Sequence, residues 1–130
     1  MPSDPMTNPL GLLLLSGSHD RAHYAFVLAA GAAAVDREVV LFASNRGCLA
    51  LAKDWSALDD AARDARVQTA GVAGFSELRE ASIDLGVRLI ACEAGLRAEG
   101  IDPGSLLPQV EVAGVVTFLS AICAGQIIAV

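Results

Sequence analysis

Three short runs of consecutive apolar residues, each closed by a small or polar turn, constrain this chain more than any other feature. Residues 10–16 (LGLLLLS), 38–44 (EVVLFAS) and 87–91 (VRLIA) are each about one strand long, and their apolar residues do not alternate with polar ones. A strand that is apolar on both sides of its pleat is buried on both faces, and the sheet that buries both faces is the parallel kind, with helices over each side. The intervening segments agree. After Ser16-Gly17-Ser18, an Ala-rich and almost wholly apolar stretch runs to Ala34, with Ser18 or Asp20 as its cap. Asn45-Arg46-Gly47 turns the second run into a short helix from Cys48 to about Lys53.

Residues 54–73 break this rhythm. They are polar, rich in Asp and closed by Gly71 and Gly74, which marks a variable surface insertion. Ser56 with Asp59 reads as a capping box and Asp59 with Arg63 as an i,i+4 pair, so a surface helix is expected there. Phe75, Leu78, Ser82 and Leu85 then mark one face of a helix ending at Gly86, and the third strand delivers the chain directly into Cys92. Residues 93–100 form a short helix stopped by Gly100, and Asp102-Pro103 restarts a turn. A fourth strand follows at 110–113, a helix at 114–121 and a last strand at 126–130. The expectation is an α/β protein with three layers, α/β/α, around a mainly parallel sheet of about five strands. Residues 1–9 are an extended or disordered tail and 10–130 a single domain.

A chain of 130 residues supplies one core without metals or disulfides, and at 54% hydrophobic but 5% aromatic that core is built from Ala, Val, Leu and Ile. So much apolar surface on a short chain, with a mean hydropathy of +0.52, points to a homo-oligomer. The net charge of −6 and the lack of any Lys/Arg cluster argue against nucleic acid and against anionic membrane surfaces. Residues 112–130 carry no charge, yet Gly114, Thr117, Ser120, Gly125 and Gln126 interrupt them and no cation flanks them, so they read as a helix and a buried strand rather than a membrane span. Residues 1–9 carry no Lys or Arg and fail as a signal peptide. Three cysteines outside any CxxC or zinc spacing fit a reducing cytoplasm.

In parallel sheets ligands bind at the carboxyl ends of the strands, where turns and helix starts converge. Ser16, Gly17, Ser18, His19 and Arg21 follow the first strand, Asn45, Arg46, Gly47 and Cys48 the second, Cys92 the third and Gly114 the fourth. These form the candidate site, with Cys92 as the nucleophile, Cys48 as a possible second thiol and the others as substrate or anion ligands. Cys123 precedes the last strand and reads as a shielded packing residue. His19 and His23 lie four apart, but no third ligand stands at a recognisable spacing, so no metal and no other cofactor is expected. Ser16-Gly17-Ser18 lacks both the P-loop and the GxGxxG patterns, and no GxSxG elbow is present. A thiol of pKa ~8.5 is roughly 3% ionised at neutral pH, and a helix terminus supplies only ~0.3 to 1 kcal/mol, so a cation such as Arg21, Arg46 or protonated His19 is needed to activate Cys92.

The set Arg88-Leu89-Ile90-Ala91-Cys92, Gly95-Leu96-Arg97, Gly100-Ile101 and Val110-Glu111-Val112-Ala113-Gly114 resembles the DsrE-like family, which includes sulfur-relay proteins. Ser16-Gly17, residues 38–42 and Gly86-Val87 fit the same pattern. The resemblance implies a three-layer α/β/α fold, trimers or hexamers, and in active members a cysteine matching Cys92 that carries sulfur as a persulfide between donor and acceptor proteins. Three readings stay open: a sulfur carrier or sulfurtransferase-like protein using Cys92, a thiol redox protein in which Cys48 resolves oxidised Cys92, and a non-catalytic oligomeric module binding a small anion or a partner.

Overall fold

The computed structural model describes residues 8–130, so the expected tail lies, apart from Asn8 and Pro9, outside the described residues. The chain runs β1 (Leu10–Leu14), α1 (His19–Ala34), β2 (Val39–Ala43), a 3-10 turn (Asn45–Leu51), α2 (Arg63–Thr69) and α3 (Phe75–Asp84). It continues through β3 (Arg88–Cys92), α4 (Glu93–Glu99), a 3-10 turn (Pro103–Ser105), β4 (Glu111–Ala113), α5 (Val115–Ile122) and β5 (Gln126–Ala129). The five strands form one parallel sheet in the order β4-β3-β2-β1-β5. Gly100 ends α4 in the left-handed region at φ 65°, where a side chain would be strained.

This order dictates where the helices go. From β1 to β4 the chain steps across the sheet in one direction, and right-handed crossovers then keep every connecting helix on one face. From β4 it jumps back past β1 to β5, so α5 must cross the other face. The core divides accordingly. Leu10, Leu12, Leu14, Leu41, Leu89 and Ala91 pack with Phe26, Phe75 and Leu96 on the face of α1, α3 and α4. Val40, Phe42, Ile90 and Cys92 pack with Phe118 and Ile122 beneath α5. There Phe42 stacks on Phe118 with ring centroids 4.8 Å apart.

Among the described residues, the eight of α5 are the whole helical cover of that second face, and β4 and β5 are the edge strands. The charge-free C-terminal segment is therefore not the helix and buried strand its composition implied: Val115, Val116, Leu119 and Ile127 are exposed. No helix of the described residues is long and apolar enough to cross a membrane.

Residues 54–73 are bound into the body. The amide of Asp59 donates to the Gly17 carbonyl (2.8 Å) and the amide of His19 to the Asp59 carbonyl (2.9 Å), which lays this segment alongside the turn after β1. The expected capping box does not form. The Ser56 amide is taken by Asp54, Asp59 pairs with Arg46 rather than Arg63, and α2 begins only at Arg63. Asp64 of α2, buried, accepts from the Phe75 amide, from Gln68 and from His19 Nε2, each at 2.8 Å. One carboxylate thus joins α1, α2 and the start of α3. Burial pushes its pKa up, and the three hydrogen bonds outweigh that and hold it below the ordinary carboxylate value.

Asp64→Ala leaves the Phe75 amide and His19 without their acceptor and lowers the unfolding free energy by about 3 kcal/mol. Folding weakens the affinity of Asp64 for its proton, so its contribution is complete above 3.8 and is lost as pH falls through the lower folded pKa. Urea midpoints taken from neutral to about pH 2.5 should therefore show the gap between parent and Asp64→Asn closing in acid. Parallel curves would remove this role.

Candidate functional site

Two tight turns, after β1 and β2, shape the carboxyl edge of the sheet. Gly47 lets the turn after β2 lie against the end of β1, since a Cβ there would collide with the Leu14 carbonyl. The Gly47 amide in turn donates to the Leu15 and Ser44 carbonyls, at 3.1 and 3.0 Å. Asn45 opens that turn at φ 54°, a left-handed conformation that Asn tolerates better than most residues. On the neighbouring turn Ser16 Oγ lies 2.9 Å from Ser18 Oγ and accepts from the Ser18 amide at 3.1 Å. Ser18 is the N-cap of α1, but its hydroxyl donates to Asp20 (2.7 Å) instead of capping a helix amide.

Cys92 closes β3 and is the N-cap of α4. Its side chain follows Ile90 onto the α5 face, packed in the cluster of Val40, Phe42, Phe118 and Ile122, and is 8% exposed. Because α4 runs on the opposite face, with Leu96 in the larger core, the sulfur and the first amides of α4 diverge. The expected support of the thiol by those amides is not made: Cys92 has no side-chain capping bond. Glu93, the acidic neighbour, is paired with Arg97 at 2.7 Å.

Cys48 reaches the same edge from the 3-10 turn but belongs to the α1 face, at 0% exposure, with its thiol directed at the Ala43 carbonyl (3.4 Å). Burial pushes its pKa up to about 11, against the opposing influence of the Cys92 backbone amide. The two thiols thus lie in different core clusters. Cys123, expected to be shielded, is exposed. It caps α5 at φ 51° with its thiol on the Ser120 carbonyl, and because β5 is an edge strand under a single helix no described residue covers it.

The cations expected around Cys92 are engaged or elsewhere. Arg46 pairs with Asp59 (3.0 Å), and Arg21 lies exposed in the first turn of α1. His19, read as an edge ligand, is instead fully buried, beside Trp55 and Phe75 and stacked on His23. Arg63 donates to His19 Nδ1 at 3.2 Å, and a guanidinium cannot accept, so the ring proton sits on Nε2 and is donated to Asp64. His23 Nε2 donates to the Ala73 carbonyl. Among the described residues no group of three His, Cys, Asp or Glu is placed to hold a metal. Gly114, the N-cap of α5, is exposed. The polar centre at Asp64, Arg63 and His19 was not foreseen, since an Asp and an Arg in a polar segment look the same whether they face water or the core.

A family model described as DsrE/DsrF/DrsH-like matches residues 49–128. Among solved structures, the protein of unknown function MTH1491 from Methanobacterium thermoautotrophicum is similar over 95% of this chain and 99% of its own, with TM-score 0.63 and 20% identity. The ychN protein from E. coli is similar over 95% of this chain and 100% of its own, with TM-score 0.72 and 12% identity. At these identities the likeness is one of fold. No curated protein matches the chain.

The burial of the three thiols sets an order for native-state alkylation: Cys123 first, Cys92 next, and Cys48 only as the chain unfolds. A thiol with a pKa of about 11 is roughly 0.1% ionised at pH 8, which adds chemical to steric protection. Mass mapping that finds Cys48 labelled before Cys92 would overturn the placement of both.

Proposed function

The chain belongs to the DsrE/DsrF/DrsH-like family, and on that premise we propose that it is a sulfur carrier, or sulfurtransferase-like protein, that holds sulfane sulfur on Cys92. The observation that carries this reading is the place of Cys92: the last residue of an interior strand, at the edge where a parallel sheet meets its ligands, close to the surface yet largely withdrawn from water. Cys48, fully buried and with its pKa raised, is poorly suited to the same work.

In the loading step the Cys92 thiolate attacks the outer sulfur of a donor persulfide, R–S–SH. The donor S–S bond breaks, R–S⁻ leaves, and a new S–S bond gives Cys92–S–SH. An acceptor thiolate then attacks that outer sulfur and releases the Cys92 thiolate. One S–S bond forms for each that breaks, so no external oxidant or reductant enters, and a reducing compartment suits a single carrier thiol.

Intact-mass analysis after exposure to a persulfide donor tests this, in a Cys123→Ser background so that the exposed thiol adds no signal. The expected gain is roughly 32 Da, one sulfur atom, abolished by Cys92→Ser. A gain that survives Cys92→Ser, or a parent that never gains mass, would sink the proposal.

The same reading includes self-association through the thinly covered face. Val115, Val116, Leu119 and Ile127 are exposed on the α5 side, Val116 at 73%, and a second copy of this surface covers them without burying any charge of α5. Light scattering should return a mass of two or more times 13.4 kDa, a trimer or hexamer being what the family resemblance implies, and Val116→Glu with Leu119→Glu should lower it. A parent that scatters as 13.4 kDa at micromolar concentration would rule this interface out.

A further inference from the structure

A groove of about 500 Å³ separates α1 from α2 on the face away from α5. Tyr24 and Val27 form one wall, Val67 and Val72 the other, and Arg63 and Arg66 stand at its rim. That volume lies in the range of small-molecule sites, about 300 to 1,000 Å³. Its apolar lining is open to solvent: Tyr24 is 56% and Val72 49% exposed.

The two arginines differ. Arg66 is paired with Asp60 at 3.2 Å. Arg63 gives one N–H to His19 Nδ1 and, among the described residues, has no carboxylate within ion-pair distance. Asp20 feels its charge from beyond ion-pair distance, and Asp20 Oδ1 accepts from Ser18 Oγ and from the Arg21 amide. A guanidinium presents five donors in a planar fork, so Arg63 keeps donors free beside an apolar groove.

We propose that this groove binds a small amphipathic monocarboxylate, with its carboxylate on Arg63 and its apolar body against Val27, Val67, Val72 and Tyr24. One free guanidinium matches the charge and the planar shape of a single carboxylate. A dianion such as a phosphate monoester would leave charge unmatched over apolar walls. His19, held between Arg63 and Asp64, fixes the guanidinium from behind and leaves its outer edge to the ligand. This site lies across the sheet from the cluster that holds Cys92, and it stands or falls independently of the sulfur-carrier reading.

Calorimetric titration of the full chain with octanoate tests the assignment, with 1-octanol as the uncharged counterpart. Octanoate should bind, octanol should bind at least about tenfold more weakly, and Arg63→Met should weaken octanoate by about tenfold or more. Val72→Asp, at an exposed position outside the His19, Arg63 and Asp64 hydrogen bonds, should weaken octanoate comparably and carries the test if Arg63→Met does not fold. No heat with about 5 mM octanoate, or binding unchanged in both variants, would overturn the proposal. So would a fall in particle mass in Val72→Asp, which would make the groove a contact between copies of the chain.

Discussion

Right-handed crossovers let a helix change faces of a parallel sheet only where the chain reverses direction across it, and this chain reverses once. Three steps from β1 to β4 put α1, α2, α3 and α4 on one side, and the single return to β5 leaves α5 alone on the other. One face is therefore thickly covered and dry. The other has eight helical residues over Val40, Phe42, Ile90 and Cys92, with two edge strands beside them. The exposed valines of α5, the unshielded Cys123 and the partial accessibility of Cys92 follow from that one asymmetry.

Side-chain alternation does the rest at Cys92. In β3, Leu89 and Ala91 face the thick side while Ile90 and Cys92 face α5. The helix that follows Cys92 turns to the thick side, where Leu96 is buried. The thiol and the start of α4 consequently part company at the junction between them, although they are adjacent in sequence. A thiol one residue earlier, in the place of Ala91, would have faced the α4 side.

The strands were legible because a strand buried on both faces writes a continuous apolar run, and β1, β2 and β3 fall within two residues of the bounds that their runs imply. Gly100 marked its helix end correctly for the same kind of reason, a local steric one. What the sequence did not reveal is which side chains lie on an edge. β5 reads as apolar as β2, yet β2 is buried throughout and β5 is mostly exposed, because strand order is a long-range property. Cys123 was misjudged on that account. His19 was misjudged for another: its position after a strand is correct, but a helix's first residue points to the edge or into the body according to partners forty-five residues away. The capping box at Ser56 failed because Asp59 had a stronger competing use, its backbone bridging Gly17 and His19 and its carboxylate holding Arg46.

The segment from 54 to 73, the part that looks most like decoration in the sequence, is the piece on which the carboxyl edge depends. Asp59 fixes the turn after β1 from its backbone and the turn after β2 from its side chain, while Asp64, five residues on, fixes the head of α1 and the start of α3. Arg63 lies between them, with its guanidinium on His19 and its remaining donors at the α1–α2 groove. The groove and the thiol lie on opposite faces, so the sheet itself insulates them. The turn after β1 is the element both faces share, since Gly17 and His19 bond to the 54–73 segment while the adjoining Leu14 and Leu15 carbonyls receive the Ser44 and Gly47 amides of the turn that carries Cys48 towards Cys92. Among the described residues the two core clusters share no member, so that turn is the backbone connection between the two sites.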